Sequence, residues 1–350
     1  MAGISAEDSA YVTACTGLVL FMTPGLALFY GGLVRQKAAT DMMLQNCVAL
    51  GLLSMLWYVC GFSMSFGAGT FVGDISDHFM WSGVSKHTAW PLLTISSNLF
   101  ATFQMMFAII TPILMTGTFA DRMHFGPYLL FLVLWSALAT CKHKEFLTLP
   151  GASSFTPPLV GLRSQRPWHW VPARIVLVGT GILWFGWFGF NGGSALAIGE
   201  VAITAVLNSH LAAAAAVCVW GALDWYPEGK PKLVPLCIAC VAGLVVVTPS
   251  AGFIQPANAS FVGMVAGFVC WDAVRLLNKS GIDDALDVWG VHRIGGATGT
   301  ILLGILADGP ERLENNHPEY CVNPNTVARG LPRLACRWRL LSCACCGPSR

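Results

Sequence analysis

Residues Leu233–Trp271 form a run of 39 amino acids without a single charged side chain. A helix needs about 20 apolar residues to cross the hydrocarbon of a bilayer, so this run is too long for one crossing. Its middle, "TPSAGFIQPANAS" (248–260), carries the prolines and glycines that punctuate helices, and two helices are expected. Comparable uncharged stretches recur at Tyr11–Val34, Met42–Gly73 and Thr88–Ala120. A shorter one spans Phe125–Thr140, and further ones follow at Ile175–Gly199 and Val201–Leu223. Val288–Ala307 is the last, and it contains His292. The reading is nine spans in an all-α polytopic membrane protein.

Composition agrees. Only 11% of the 350 residues are charged, against about 25% in soluble domains, and the mean hydropathy is +0.62. A net charge of +2 without basic clusters gives no footing for nucleic acid. Thirteen cysteines could suggest a disulfide framework, but Cys47, Cys60, Cys218, Cys237, Cys240 and Cys270 lie inside apolar runs, where cysteine behaves as a small hydrophobe. The CxxC spacings Cys237/Cys240 and Cys343/Cys346 are too far apart in the chain for a paired zinc motif. The opening stretch Met1–Ala10 has no basic residue, unlike a signal peptide.

Charge asymmetry sets the orientation. The first inter-span loop carries Arg35 and Lys37, the second Asp74 and Asp77 against Lys86, and the short third one Arg122. An external N-terminus fits, and the fourth span then ends outside. The basic loops "YPEGKPK" (226–232) and "RLLNKSG" (275–281) are cytoplasmic by the same rule, which requires the span at 175–199 to begin inside. The halves disagree by one crossing. Cys141–Arg174 lies between them, and its uncharged core contains Pro150, Pro157 and Pro158, a poor composition for a helix in lipid. Either a crossing is missing or one half is inverted.

"FYGGLV" (29–34) is echoed by "FNGGSA" (190–195), and "IITPILMTG" (109–117) by "VVVTPSAGF" (245–253), a weak internal repeat of the kind transporters show. Five stretches together resemble the ammonium transporters of the Amt/Mep/Rh superfamily. They are "TPGLALFYGGLVRQK" (23–37), "FQMMFAIITPILMTGTFADRM" (103–123), "LWFGWFGFNGGSAL" (183–196), "AGLVVVTPSAGFI" (242–254) and "DDALDVWGVHRIGGATGTILLGILA" (283–307). The resemblance covers roughly residues 11–140 and 175–307. It implies an ammonium-transporter-like inverted repeat, with nine recognisable helices of an eleven-span fold. It also implies a homotrimer with one pore per subunit, and neither cofactor nor metal.

On that resemblance the chain divides into 1–140 (spans 1–4), an atypical segment 141–174 in place of span 5, 175–307 (spans 6–10) and an atypical tail 308–350. Phe103 resembles the aromatic of an outer vestibule, and Phe107 and Phe190 resemble a stacked gate, Phe107 also bordering the vestibule. Ser194 resembles the hydroxyl that accepts a hydrogen bond from bound ammonium, and His292 the second of two pore histidines. The chemistry is coherent. Aromatic faces hold a desolvated cation for roughly 0.5–2 kcal/mol each. An apolar lumen penalises bare charge and favours neutral ammonia, with the proton handled along histidines.

Each residue also has a plainer role. Phe103 and Phe107, one helical turn apart, read in isolation as a core- or lipid-facing pair, and the motif around them favours the pore. Ser194 suits helix packing as well as it suits ligand contact. His292 could serve an interhelical hydrogen bond, although an ionisable group in a membrane span points first to function. His210, in "LNSHLAAAAAV" (207–217), suits packing, while Asp284 and Asp287 suit capping and dipole compensation at the last span.

Three features depart from the family pattern. No Asp-Phe-Ala-Gly-Gly and no Val-His occurs in 141–174, so the first pore histidine and its buried aspartate have no counterpart. Only "WHWVP" (168–172) is similar to the vestibule tryptophan segment, through Trp168 or Trp170. Arg293 stands where the family has a small residue, and 329–350 is not an eleventh span. The resulting expectation is an ammonium transporter or channel of the plasma membrane that takes ammonium, ammonia and methylammonium, and is no enzyme. Conduction would be impaired by the lost histidine. The alternative is a non-conducting co-assembling subunit or ammonium sensor.

Overall fold

The structure is a computed structural model that describes residues 3–34, 36–69, 72–120, 123–139, 173–280 and 286–307. Asp284, Trp168, Trp170, nearly all of the 141–174 segment and the tail from 308 lie outside the described residues.

The uncharged runs become helices. α1 is Ala6–Leu33 and α2 is Gln36–Leu56, which continues through a π-helical turn (Trp57–Gly61) into α3 (Phe62–Phe66). α4 (Ser97–Phe119) and α5 (Phe125–Ala139) complete the first half. The second half holds α6 (Ala173–Gly193), α7 (Glu200–Glu228), α8 (Leu233–Val247), α9 (Pro256–Ser280) and α10 (Gly295–Leu306). A π-helical turn at Trp289–Ile294 leads into α10. Seven of the described helices are long and apolar enough to span a membrane, α2 and α3 counting as one. Phe125–Ala137 of α5 is a shorter apolar helix and α10 has 12 residues, so the helix count agrees only roughly with the nine spans expected. Among the described residues the only β pairing noted is an isolated bridge, Ala89 to Ser96, in the loop before α4.

Local chemistry marks the ends. Ser5 caps α1 by accepting the Asp8 N–H on its hydroxyl, at 3.1 Å, as N-cap serines do. α7 closes on Gly229, left-handed at φ 73°, with its N–H donating to the Trp225 carbonyl, the usual glycine stop. The long uncharged run breaks where its prolines and glycines stand. α8 passes into a 3₁₀ turn at Thr248–Ser250 and α9 restarts at Pro256. The freed carbonyls of Ala251 and Ile254 accept from Asn208 Nδ2 at 2.7 and 2.8 Å. That one amide makes the break tolerable in a water-free interior.

α1 and α6 form the central contact. Glycines bring their backbones together: Gly189 and Gly186 of α6 lie against Leu18 and Met22, Gly179 against Gly25 and Phe29, and Val176 against Gly32. Residue numbers fall along α6 as they rise along α1, so the two helices are antiparallel. Trp57 Nε1 donates to the Ala101 carbonyl and Tyr128 Oη to that of Gln45, which sets α4 antiparallel to α2 and α5 parallel to it. The described chain therefore ends at Ala139 on the side where α1 begins, and resumes at Ala173 on the side where α1 ends. Ala139 and Ala173, between which the loop charges disagree by one crossing, therefore stand on opposite sides of the bundle.

Candidate functional site

Phe103 and Phe107 are four residues apart on α4 and project from one face. Their ring centroids are 5.0 Å apart and nearly perpendicular. α6 supplies the other side. Phe107 and Phe190 approach to 4.6 Å between centroids, and Trp187, one turn from Phe190, lies 5.5 Å from it. Four buried rings thus run continuously from α4 to α6, at separations typical of favourable aromatic pairs.

Glycine makes room at the Phe103 end. A Cβ on Gly193 would stand 3.0 Å from the Phe103 ring. The next residue, Ser194, is half-buried, and its Oγ donates to the Phe190 carbonyl at 2.6 Å. With its proton committed, that oxygen is left to accept hydrogen bonds. Phe103, Phe107, Phe190 and Ser194 thus gather at one place from two helices.

Farther along α4 and α6, past Phe107 and Phe190, is a cavity of about 10 Å³, no more than the room one water centre needs. Leu26, Phe29, Ile110, Leu114, Leu183 and Val241 make most of its wall, and Trp187 and His292 border it with nitrogen-bearing rings. Trp187 Nε1 donates to Thr248 Oγ1 at 2.9 Å, while that hydroxyl donates to the Leu244 carbonyl at 2.7 Å. Tyr30 also borders the cavity, its hydroxyl donating to the Leu114 carbonyl.

His292, 4% exposed, lies in the π-helical turn, a local widening found often at functional positions. The Gly295 N–H is shared between the carbonyls of Val291 and His292. The glycines that drew notice in the sequence are points of close approach. Gly290 faces Val274 of α9, Gly295 faces Cys270 and Val246, and Gly299 lies on the Val246 backbone. Side chains there would push His292 off the cavity wall. Arg293 places its guanidinium 5.8 Å from the Trp289 ring, a cation–π distance, and is not among the cavity-lining residues.

Asp287 precedes this turn in a left-handed conformation, φ 54°, and its carbonyl accepts the Val291 N–H. His210 is exposed and packs beside Trp184 and Phe188, at 5.3 and 6.2 Å between centroids, apart from the cavity. Trp187, Thr248 and Tyr30 were not singled out from sequence. Trp187 was detectable, three residues before Phe190 on the same helical face. Thr248 was not, since only the α8–α9 break turns its hydroxyl to the indole.

Comparison with known proteins extends the picture. The family model for the Ammonium Transporter Family matches residues 10–150 and 163–329. The ammonium transporter of Aquifex aeolicus is 36% identical over 337 residues, covering 88% of this chain and 78% of the relative. That of Bacillus subtilis is 34% identical over 328 residues, covering 86% of this chain and 80% of the relative. Among solved structures, Candida albicans Mep2 superposes with a TM-score of 0.81 at 27% identity, covering 98% of this chain and 81% of that one. Saccharomyces cerevisiae Mep2 gives 0.82 at 27%, covering 98% and 82%.

Proposed function

The chain belongs to the ammonium transporter family, a family of integral membrane transporters rather than enzymes, and from that premise we propose that it carries ammonium across the plasma membrane. The observation that supports this most is the ring series Phe103–Phe107–Phe190 leading directly to a narrow apolar cavity bordered by Trp187 and His292. Ammonium meets the face of Phe103 and donates a hydrogen bond to Ser194 Oγ, whose own hydrogen is occupied by the Phe190 carbonyl. Potassium has the same charge but no proton to give. The Phe107–Phe190 pair closes the path between passages. Beyond it the apolar wall favours neutral ammonia, and His292 handles the proton.

The N-terminus is external in this proposal, with Arg35 and Lys37 inside. The functional unit in this proposal is a homotrimer. Conduction is impaired, because the segment standing in place of the fifth span has no Val-His motif to supply a second pore histidine.

Uptake of labelled methylammonium in transport-deficient cells tests the proposal. Weak, saturable uptake that is abolished in His292→Ala is expected. Robust uptake lost in that variant would overturn the impairment and keep the transporter. No uptake, with co-purification of a mixed trimer with an intact homologue, would favour the non-conducting subunit instead.

A further inference from the structure

Asp8 is charged, 9% exposed and unused by the transport steps above. It stands in the first turn of α1, where a negative side chain also suits the helix dipole. Its two carboxylate oxygens face two distant parts of the chain. Oδ2 accepts from Thr94 Oγ1 at 2.5 Å, and Oδ1 accepts the backbone N–H of Ile198 at 2.9 Å. Ser5 strengthens the first link, its N–H donating to the Thr94 carbonyl at 2.8 Å.

These two partners lead straight to the vestibule. Thr94 stands two residues before Ser96, the N-cap of α4, and α4 carries Phe103 and Phe107. Ile198 lies four residues beyond Ser194, in the loop that leaves α6 after Phe190. That loop is constrained: Leu196 is buried and left-handed at φ 57°, a conformation that L side chains adopt only when surroundings hold them. Turn bonds from Ala195 and Leu196 to the carbonyls of Gly192 and Gly193 tie its beginning to α6. Asp8 ties its end to α1 and, through Thr94, to the approach of α4.

We propose that Asp8 is a positioning residue for the outer vestibule, its carboxylate setting the spacing between Phe103 on α4 and Ser194 beyond α6. This rests on the reading of Phe103 and Ser194 as the ammonium-binding pair. A carboxylate accepts at both oxygens, which suits the Thr94 hydroxyl and the Ile198 N–H that face it, with the Ser5 hydroxyl beside them. An asparagine can do the same work without charge: its oxygen accepts from Ile198, and its amide donates to a rotated Thr94 hydroxyl. Alanine can do neither.

The test combines hydrogen–deuterium exchange on the purified full-length chain with the methylammonium concentration at half effect. That concentration is taken from uptake, or from binding to the purified chain if uptake is absent. Asp8→Ala should speed exchange of the Ile198 amide and raise the half-effect concentration about tenfold, at unchanged surface abundance. Asp8→Asn should stay within about twofold on both readouts. Thr94→Val, which spares the Ile198 bond, should give an intermediate rise in half-effect concentration and guards against a misfolded alanine variant.

Unchanged Ile198 exchange in Asp8→Ala overturns the bracket. Faster exchange with an unaltered half-effect concentration reduces Asp8 to a structural role and overturns it as well. Equal losses in the alanine and asparagine variants would make the charge itself decisive and overturn positioning. A parent chain that binds methylammonium without moving it defeats the transport reading alone. A parent that neither binds nor transports it defeats the vestibule reading, and the proposal with it.

Discussion

The ring of Phe107 on α4 lies 4.6 Å, centroid to centroid, from that of Phe190 on α6, at an interplanar angle of 51°. Each ring is buried, at 6% and 3% exposure, so the contact is a packed one that joins α4 to α6.

That contact has a measurable coupling. Phe107→Ala and Phe190→Ala should each cost about 3–5 kcal/mol, the range for buried phenylalanine truncation. The double variant should cost less than the sum by about 0.5–1.5 kcal/mol. Thermal unfolding of the four proteins in detergent provides the cycle, and strict additivity would mean that the rings do not interact.

The Trp187–Thr248 hydrogen bond separates two chemically similar changes. Thr248→Val strands the buried indole N–H and should destabilise by about 1–3 kcal/mol. Thr248→Ser keeps the acceptor and should be milder. Equal melting temperatures for the two variants would remove the bond from the account of the cavity wall.

Asn208 holds the break between α8 and α9 through two donated hydrogen bonds. Asn208→Ala should lower stability by about 1–3 kcal/mol for the carbonyls left unpaired. Asn208→Asp should be worse, because a carboxylate has no proton to give and repels both carbonyls. The order Asn, Ala, Asp in melting temperature is the check; an aspartate variant as stable as the parent contradicts it.

At the α1–α6 crossing, a Cβ on Gly179 would fall 2.5 Å from the Phe29 backbone nitrogen. Gly181, two residues on, has nothing within 4 Å of that position. Gly179→Leu should therefore abolish the monodisperse peak in fluorescence-detected size-exclusion chromatography, while Gly181→Leu leaves it intact. Matching profiles would show that the crossing tolerates separation.

Much of this was legible in the chain itself, because the features were local. Uncharged runs long enough for lipid became helices, and the helix break came where proline and glycine interrupt Leu233–Trp271. The pairing of Phe103 with Phe107 follows from four-residue spacing alone, and family motifs carried the rest of the candidate site. Trp187, Thr248 and Asn208 were less visible. Their significance lies in what a side chain touches on another helix, and no spacing within one segment records that.

The sequence by itself determined which segments enter the membrane, because transfer into lipid depends on composition summed along one helix. It also raised the missing crossing, through loop charges, without choosing between its two explanations. Only the tertiary structure set α1 against α6 at this register, antiparallel, which brings Phe190 to Phe107 and Ile198 to Asp8. The physical reason is that lipid gives helices no hydrophobic drive toward one another. Which faces meet is settled by close steric fit, such as Gly179 against the backbone of Phe29, and that fit exists only between helices already in register.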